Sequence, residues 1–151
     1  MARIHARKKG RSGSHAIERK DHPSWSSISS KDVEKLVLEK SKEGLSTAQI
    51  GATLRDSHGI PSVKLATNLS INNILKKNNL NSEIPEDLSN LMRKAVRLGE
   101  HLDKNSKDIH NKRALQLTES KIMRLVRYYK DNSVLPTDWK YSLDTAKLTV
   151  G

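Results

Sequence analysis

Apolar residues recur every three or four positions through most of this chain, which is the period of an amphipathic α-helix. The longest regular series, with spacings of 3, 4, 3 and 4, consists of Leu88, Leu91, Ala95, Leu98 and Leu102. Pro85, Glu86 and Asp87 precede it, and a proline followed by acidic residues is typical of a helix start. Since no period-two alternation is long enough to predict a strand, the pattern predicts an all-α protein.

Capping residues bound shorter helices in the first half of the chain. One helix is predicted to begin near Ser29 and to end before Gly44, because glycine suits the position after a helix C-terminus. Ser46 and Gln49 have the spacing of a capping box that opens the next helix. A third helical stretch is predicted over residues 71–77. Together these form a small N-terminal helical subdomain, residues 23–80.

The second half predicts a helical-hairpin bundle, residues 81–151. After a bend at residues 101–113, the apolar positions of a second long helix are Leu115, Ile122, Val126 and Tyr129. Residues 135–139 break that helix, and a last short helix is expected to end near Lys147. Trp25 and Trp139 are expected to be packing anchors.

Residues 1–22 have almost no apolar positions to bury, and they hold seven Lys/Arg against two acidic residues. Such a segment is expected to be a disordered basic arm that orders only against a partner. Its candidate binding residues are Arg3, Arg7, Lys8, Lys9 and Arg11. A mitochondrial transit peptide is the competing interpretation, although Glu18, Asp21 and the lack of an amphipathic apolar face count against it.

The charge of the chain predicts a polyanionic partner. The net charge is +11, and residues 86–130 hold eleven Lys/Arg against six Asp/Glu. Charge concentrated in this helical region and in the arm is typical of a binding surface rather than of an evenly solubilised one. No apolar run approaches the roughly 20 residues of a membrane span, so no membrane partner is predicted.

The residues that carry chemistry are too sparse to predict an enzyme. There is no cysteine, no glycine-rich phosphate loop and no serine elbow. His101 and His110 are nine positions apart, with Asp103 and Asp108 nearby, but this spacing matches no known metal motif. No catalytic residue, metal or cofactor is therefore predicted.

The bend from His101 to Arg113 gathers histidine, aspartate, asparagine and arginine between two basic helices. Short polar side chains read base and sugar edges, while Lys and Arg hold phosphates, so this run favours an RNA-reading surface. The alternative is a plain helix–helix connection in which Ser106 or Asp108 is the N-cap. The other candidate phosphate-binding residues on the two helices are Arg93, Arg97, Lys104, Arg124 and Arg127.

A DNA-binding helix-turn-helix within residues 31–56 is the second functional interpretation. The glycine turn at Gly44 followed by a capped helix fits that motif. Its would-be recognition helix has only Arg55 as a basic residue, and Asp56 follows directly. This helix therefore lacks the phosphate anchors that a major-groove helix needs.

Several motifs together resemble one family, the archaeal and eukaryotic type of the universal small-subunit ribosomal protein numbered fifteen in bacteria. Those resembling the archaeal-type extension are Pro23-Ser24-Trp25, Glu43-Gly44-Leu45-Ser46, Leu54-Arg55-Asp56 and Gly59-Ile60-Pro61. Those resembling the universal core are Ile84-Pro85-Glu86-Asp87-Leu88, Ala95-Val96-Arg97-Leu98 and the turn from His101 to Leu115, with Asp138-Trp139-Lys140-Tyr141 as the closing motif.

The resemblance implies a cytoplasmic, non-enzymatic protein of the small ribosomal subunit that binds a three-way junction in the central domain of its rRNA. It also implies neighbouring ribosomal proteins as partners, a role in assembly, and a position near the large subunit. His101 and Asp108 match the family's minor-groove contacts, and Asn111 stands at the position of a family serine. Tyr128 matches a tyrosine that faces RNA, and Lys112 and Arg113 are expected to hold phosphates.

Overall fold

The computed structural model describes residues 21–23, 25–26, 28–80 and 82–150. Within these ranges the chain forms helices and no strand, so the predicted all-α class is confirmed. The helices are α1 (Ser30–Lys42), α2 (Thr47–His58), α3 (Val63–Thr67), α4 (Ile71–Lys77), α5 (Glu86–Lys104), α6 (Ile109–Asp131) and α7 (Leu143–Val150). The arm residues predicted to bind a partner lie outside the described residues. No described helix is both long enough and apolar enough to cross a membrane.

The described residues fall into two compact units that divide between Glu83 and Ile84. The N-terminal unit contains α1 to α4, and the C-terminal unit contains α5 to α7. Each unit has a hydrophobic core built from its own helices. The division of the whole chain into residues 1–22, 23–80 and 81–151 stays a prediction.

The N-terminal unit packs α2, α3 and α4 around α1. Its buried core consists of Val33, Val37, Ile50, Leu54, Ile60, Val63, Ile74 and Leu75. The predicted capping box is present, because the Ser46 hydroxyl accepts from the Gln49 backbone N–H while the Gln49 side chain accepts from the Ser46 N–H. Gly44, at φ 84°, follows α1 in the left-handed backbone region that glycine favours.

Two features of this unit differ from expectation. Helix α3 has only five residues, too few for an apolar period to predict it, and Ser62 caps it through the Leu65 N–H. The expectation that Trp25 is a packing anchor is wrong, because its side chain is 65% exposed. Its ring lies along Gly59 rather than inside the core.

The C-terminal unit is a hairpin of α5 and α6, with α7 packed against α5. Its buried core consists of Leu88, Met92, Ala95, Val96, Ile122, Val126, Leu135 and Ala146. The predicted α5 stripe is only partly correct, because Leu91, Leu98 and Leu102 are half-buried. Helix α5 contacts both α6 and α7, so its buried face is broader than a heptad seam and includes Met92 and Val96.

Gly99 lets α7 approach α5 closely. A Cβ atom at this position would lie 3.1 Å from Leu143 Cδ2. The last helix ends at Val150, three residues beyond the predicted end, and Ser142 caps it by accepting from the Thr145 N–H at 3.1 Å. Trp139 packs against the core, as expected.

A hydrogen bond from Tyr129 on α6 to Asp87 in the first turn of α5 joins the two helices. The phenol lies 2.7 Å from both carboxylate oxygens, and burial followed by this bond raises the pKa of Tyr129. We expect Tyr129→Phe to lower the free energy of unfolding at neutral pH by about 1 kcal/mol, measured by urea denaturation. Tyr128→Phe is the matched control, because that neighbouring side chain is 58% exposed and is not bonded to Asp87.

The raised pKa of Tyr129 gives this bond a pH dependence of known sign. The folded state favours the neutral phenol. The contribution of this bond to the free energy of unfolding is therefore complete below the unfolded pKa of about 10, and it is lost as pH rises from there towards the folded pKa. The Tyr129→Phe chain should therefore lose less stability than the parent chain between about pH 9 and pH 11. Equal losses in the two chains would contradict this account.

Candidate nucleic-acid interface

The bend between α5 and α6 is a four-residue turn from Asn105 to Asp108. Asn105 ends α5 by donating its backbone N–H to the His101 carbonyl at 2.9 Å. Asp108 begins α6, because its carboxylate accepts from the Asn111 N–H at 2.9 Å. Asp108 is thus the N-cap that the plain-connection interpretation expected, whereas Ser106 is not.

The structure brings together His101, Asp108 and Asn111, three residues predicted to bind. His101 Nε2 lies 3.0 Å from Asp108 Oδ2, and the Asn111 amide donates to the same oxygen at 2.8 Å. An ionised carboxylate only accepts, so His101 Nε2 carries a proton and donates it. The two side chains of this pair are 41% and 29% exposed, which leaves them accessible to a ligand.

Asn105 belongs to the same group, although the sequence analysis did not single it out. Its amide donates to the His101 carbonyl at 3.1 Å and lies 3.3 Å from His101 Nδ1. Because the Asn105 amide nitrogen can only donate, Nδ1 accepts from it, and the imidazole is held in one orientation. The signal available in the sequence was an asparagine four residues after a histidine at a helix end. We call His101, Asn105, Asp108 and Asn111 the turn cluster.

The turn cluster keeps Asp108 ionised. The Asn111 backbone N–H, followed by the His101 and Asn111 side chains, holds the pKa of Asp108 well below its usual range. A carboxylate has about four lone-pair sites, and the internal bonds occupy three. One site on Oδ1 and the amide oxygen of Asn111 are left to accept hydrogen bonds. The cluster can therefore accept from hydroxyl or amino groups of a ligand.

A cationic stripe on α5 leads to the turn cluster. Arg93, Arg97 and Lys104 are exposed and share one helix face with His101, on the side opposite the buried residues. The Arg93 guanidinium bonds to the Asn90 side chain at 2.7 Å, and no acidic partner is seen for the three cations within the described residues. They are therefore available to phosphates.

The outer face of α6 continues the cationic surface. Lys112 and Arg113 lie within its first two turns, while Arg124, Arg127 and Tyr128 lie three to four turns further along. At 1.5 Å per residue the two groups are about 20 Å apart. Tyr128 is 58% exposed and meets Tyr129 edge to face at a centroid distance of 5.3 Å. Its ring is open to a stacking partner, whereas Tyr129 lies against the core.

Other chemistry finds little support in the described residues. No group of three His, Asp or Glu side chains in this part of the chain could hold a metal ion. In the region of the possible helix-turn-helix, Arg55 is paired with Asp56 at 2.7 Å. The sole Lys/Arg side chain of α2 is thus neutralised by an adjacent carboxylate, which is unfavourable for a DNA-recognition helix.

These features define a basic, all-helical protein that presents two cationic helix faces and a polar turn between them. The family description of ribosomal protein S15 matches residues 70–149, and that of the ribosomal S13/S15 N-terminal domain matches residues 1–60. The chain belongs to the ribosomal protein S15 family. Membership identifies it as a structural, non-enzymatic protein of the small ribosomal subunit, and the predicted resemblance is confirmed.

Archaeal relatives match nearly the whole chain. The proteins of Methanocorpusculum labreanum and Methanocella arvoryzae, each named small ribosomal subunit protein uS15, are 51% and 49% identical to it. These matches cover 98% and 99% of this chain, and 97% and 99% of the relatives. The uS15 protein of Methanococcus vannielii is 50% identical over 150 residues. The similarity therefore extends over both units.

Proposed function

We propose that this chain binds a three-way junction in the central domain of small-subunit rRNA and supports assembly of the subunit. The observation that carries the proposal is the turn cluster, a half-exposed group of hydrogen-bonding side chains between two cationic helix faces. An A-form helix presents 2′-hydroxyls and base edges in a wide, shallow minor groove. Asp108 Oδ1 and the amide oxygen of Asn111 are suited to accept hydrogen bonds from those groups.

The proposed division of labour follows from the chemistry of each residue. His101, Asp108 and Asn111 read the minor groove, while Asn105 positions His101. Arg93, Arg97, Lys104, Lys112, Arg113, Arg124 and Arg127 contact phosphates. Tyr128 stacks on or hydrogen-bonds to RNA at the junction. The arm residues Arg3, Arg7, Lys8, Lys9 and Arg11 add cationic contacts. The partners are small-subunit rRNA and neighbouring ribosomal proteins, together with the large subunit at the interface.

Asn111 at the position of the family serine fits this role. Its side chain donates one bond to Asp108, and its amide oxygen accepts where a hydroxyl would otherwise accept. The substitution thus keeps an acceptor at this point of the turn. The bond that it donates holds the Asp108 carboxylate in place.

The test is a binding titration against two RNAs of equal length, one a central-domain three-way junction and the other a plain duplex, at two salt concentrations. We expect tighter binding to the junction, and a preference that survives at high salt, because hydrogen-bond readout is screened less than phosphate contact. Equal binding that collapses with salt would show a simple polycation and would overturn the proposal.

A further inference from the structure

The N-terminal unit has an uneven distribution of charge. Residues 28–57 hold five Lys/Arg and five Asp/Glu, whereas residues 58–80 hold three lysines and no acidic residue. The acid-free stretch extends over residues 57–82 and also holds six of the ten asparagines of the chain. The stretch that contains α1 and α2 is therefore electrically balanced, whereas the stretch that contains α3 and α4 is cationic and rich in amides.

Pairing within the unit follows the same division. Lys35 lies 3.3 Å from Asp32, Lys40 lies 2.8 Å from Glu43, and Arg55 pairs with Asp56. Lys64, Lys76 and Lys77 are exposed, and no carboxylate of the described residues pairs with them. Three of the five Lys/Arg side chains of α1 and α2 thus have a carboxylate partner, whereas none of the three lysines of α3 and α4 has one among the described residues.

Helix α4 places its polar residues on one outward face. Ile74 and Leu75 are buried in the core, while Asn72, Asn73, Lys76 and Lys77 are exposed on the opposite side. At 100° per residue these four positions are contiguous around the helix. We call them the α4 face. Two ammonium groups beside two amides form a compact surface of donors with two amide acceptors.

The composition of the α4 face favours an RNA partner over a protein partner. Lysines without acidic neighbours attract phosphates, and asparagine side chains bond to phosphate, sugar and base edges alike. A protein-docking surface of similar size is expected to have an apolar or aromatic centre, and its centre is depleted in lysine. The α4 face has no apolar or aromatic centre, and two of its four residues are lysines.

We propose that the α4 face is a second RNA-binding surface, separate from the turn cluster, which contacts the backbone of small-subunit rRNA. Lys76 and Lys77 bind phosphates, while Asn72 and Asn73 bond to phosphate or ribose oxygens. The inference rests on the proposed function in that the partner is the same class of RNA. It does not depend on recognition of the three-way junction.

The first test is the salt dependence of binding to a full-length small-subunit rRNA transcript. Each phosphate contact contributes roughly 0.7 to 0.9 to the slope of log K against log salt. The double variant Lys76→Gln/Lys77→Gln, which loses two such contacts, should therefore flatten that slope by about 1.5. Lys31→Gln/Lys42→Gln is the matched control. It removes the same charge from exposed positions of α1, and we expect a smaller effect. An unchanged slope, or the same change in both variants, would overturn the proposal.

The same series separates this proposal from the proposed function. Asp108→Ala tests the preference for the junction over a duplex, whereas the lysine pair tests the slope on whole rRNA. If the α4 variant keeps the full slope while junction preference is normal, only the second surface is refuted. If junction preference is absent while the slope changes as expected, only the turn-cluster proposal is refuted.

The lack of cysteine allows a direct identification of the partner. Asn73→Cys and, as control, Lys31→Cys each provide a single site for a photo-crosslinker in the full chain. After assembly into small subunits, we expect crosslinks from position 73 to rRNA, and fewer from position 31. Crosslinks from position 73 mainly to a ribosomal protein, or to neither class, would overturn the proposal. Circular dichroism checks that both variants keep the helical content of the parent chain.

Discussion

Replacing Asp108 by alanine is expected to lower the preference for the three-way junction over a duplex by about 10- to 100-fold, the range typical of losing a specific hydrogen-bonded contact. The variant removes one negative charge from a protein that binds a polyanion. Electrostatics alone therefore predicts equal or tighter binding to every RNA. Weaker junction binding together with unchanged or stronger duplex binding would thus identify Asp108 as a reader of RNA. Parallel titrations of both RNAs measure the two affinities.

Two further variants separate the roles of Asp108. Asp103→Ala removes the same charge from an exposed position just before the turn, so we expect it to keep the junction preference. Asp108→Asn keeps a good N-cap for α6 but cannot accept at both oxygens from His101 and Asn111. If Asp108→Asn behaves as the parent chain while Asp108→Ala does not, the residue acts mainly by starting the helix. An equal loss of binding to both RNAs would contradict the prediction.

Much of the helical architecture follows from local signals that are independent of tertiary packing. The capping box of Ser46 and Gln49 and the left-handed Gly44 each depend on a few neighbouring residues. Such signals are legible in one sequence. The short α3 and the deeper burial of Met92 than of Leu91 depend on which helices meet. Periodicity within a single helix does not contain that information.

The site shows the same division between what is local and what is not. Residue types around the bend predicted His101 and Asp108 as partners of RNA, a role that stays a proposal. The hydrogen bonds that join them to Asn105 and Asn111 depend on how α5 ends and α6 begins, a geometry that spacing does not fix. The absence of acidic residues around α4 was visible in the sequence. Its significance appeared only when the helix placed two lysines and two asparagines on one exposed face.

Truncating Leu54 to alanine is expected to destabilise the N-terminal unit by about 2–5 kcal/mol. Leu54 is fully buried in the core of α1 to α4, so its loss leaves a cavity there. A unit of this size buries a smaller fraction of its surface than a larger domain does, so it has little stability to lose. Hydrogen exchange of amides in α1 and α2 should therefore accelerate by roughly 30-fold or more, since each 1.4 kcal/mol is tenfold.

The expected pattern of exchange tests whether the two cores stabilise their units separately. Leu148→Ala makes the same chemical change at a side chain that is 89% exposed on α7, and we expect it to alter stability by less than about 0.5 kcal/mol. In Leu54→Ala, amides of α5 and α6 should exchange as in the parent chain, because their core contains no residue of the N-terminal unit. Equal acceleration in both units would show one cooperative fold. Preserved exchange in α5 and α6 would mean that the turn cluster keeps its geometry, and junction preference should then survive in this variant.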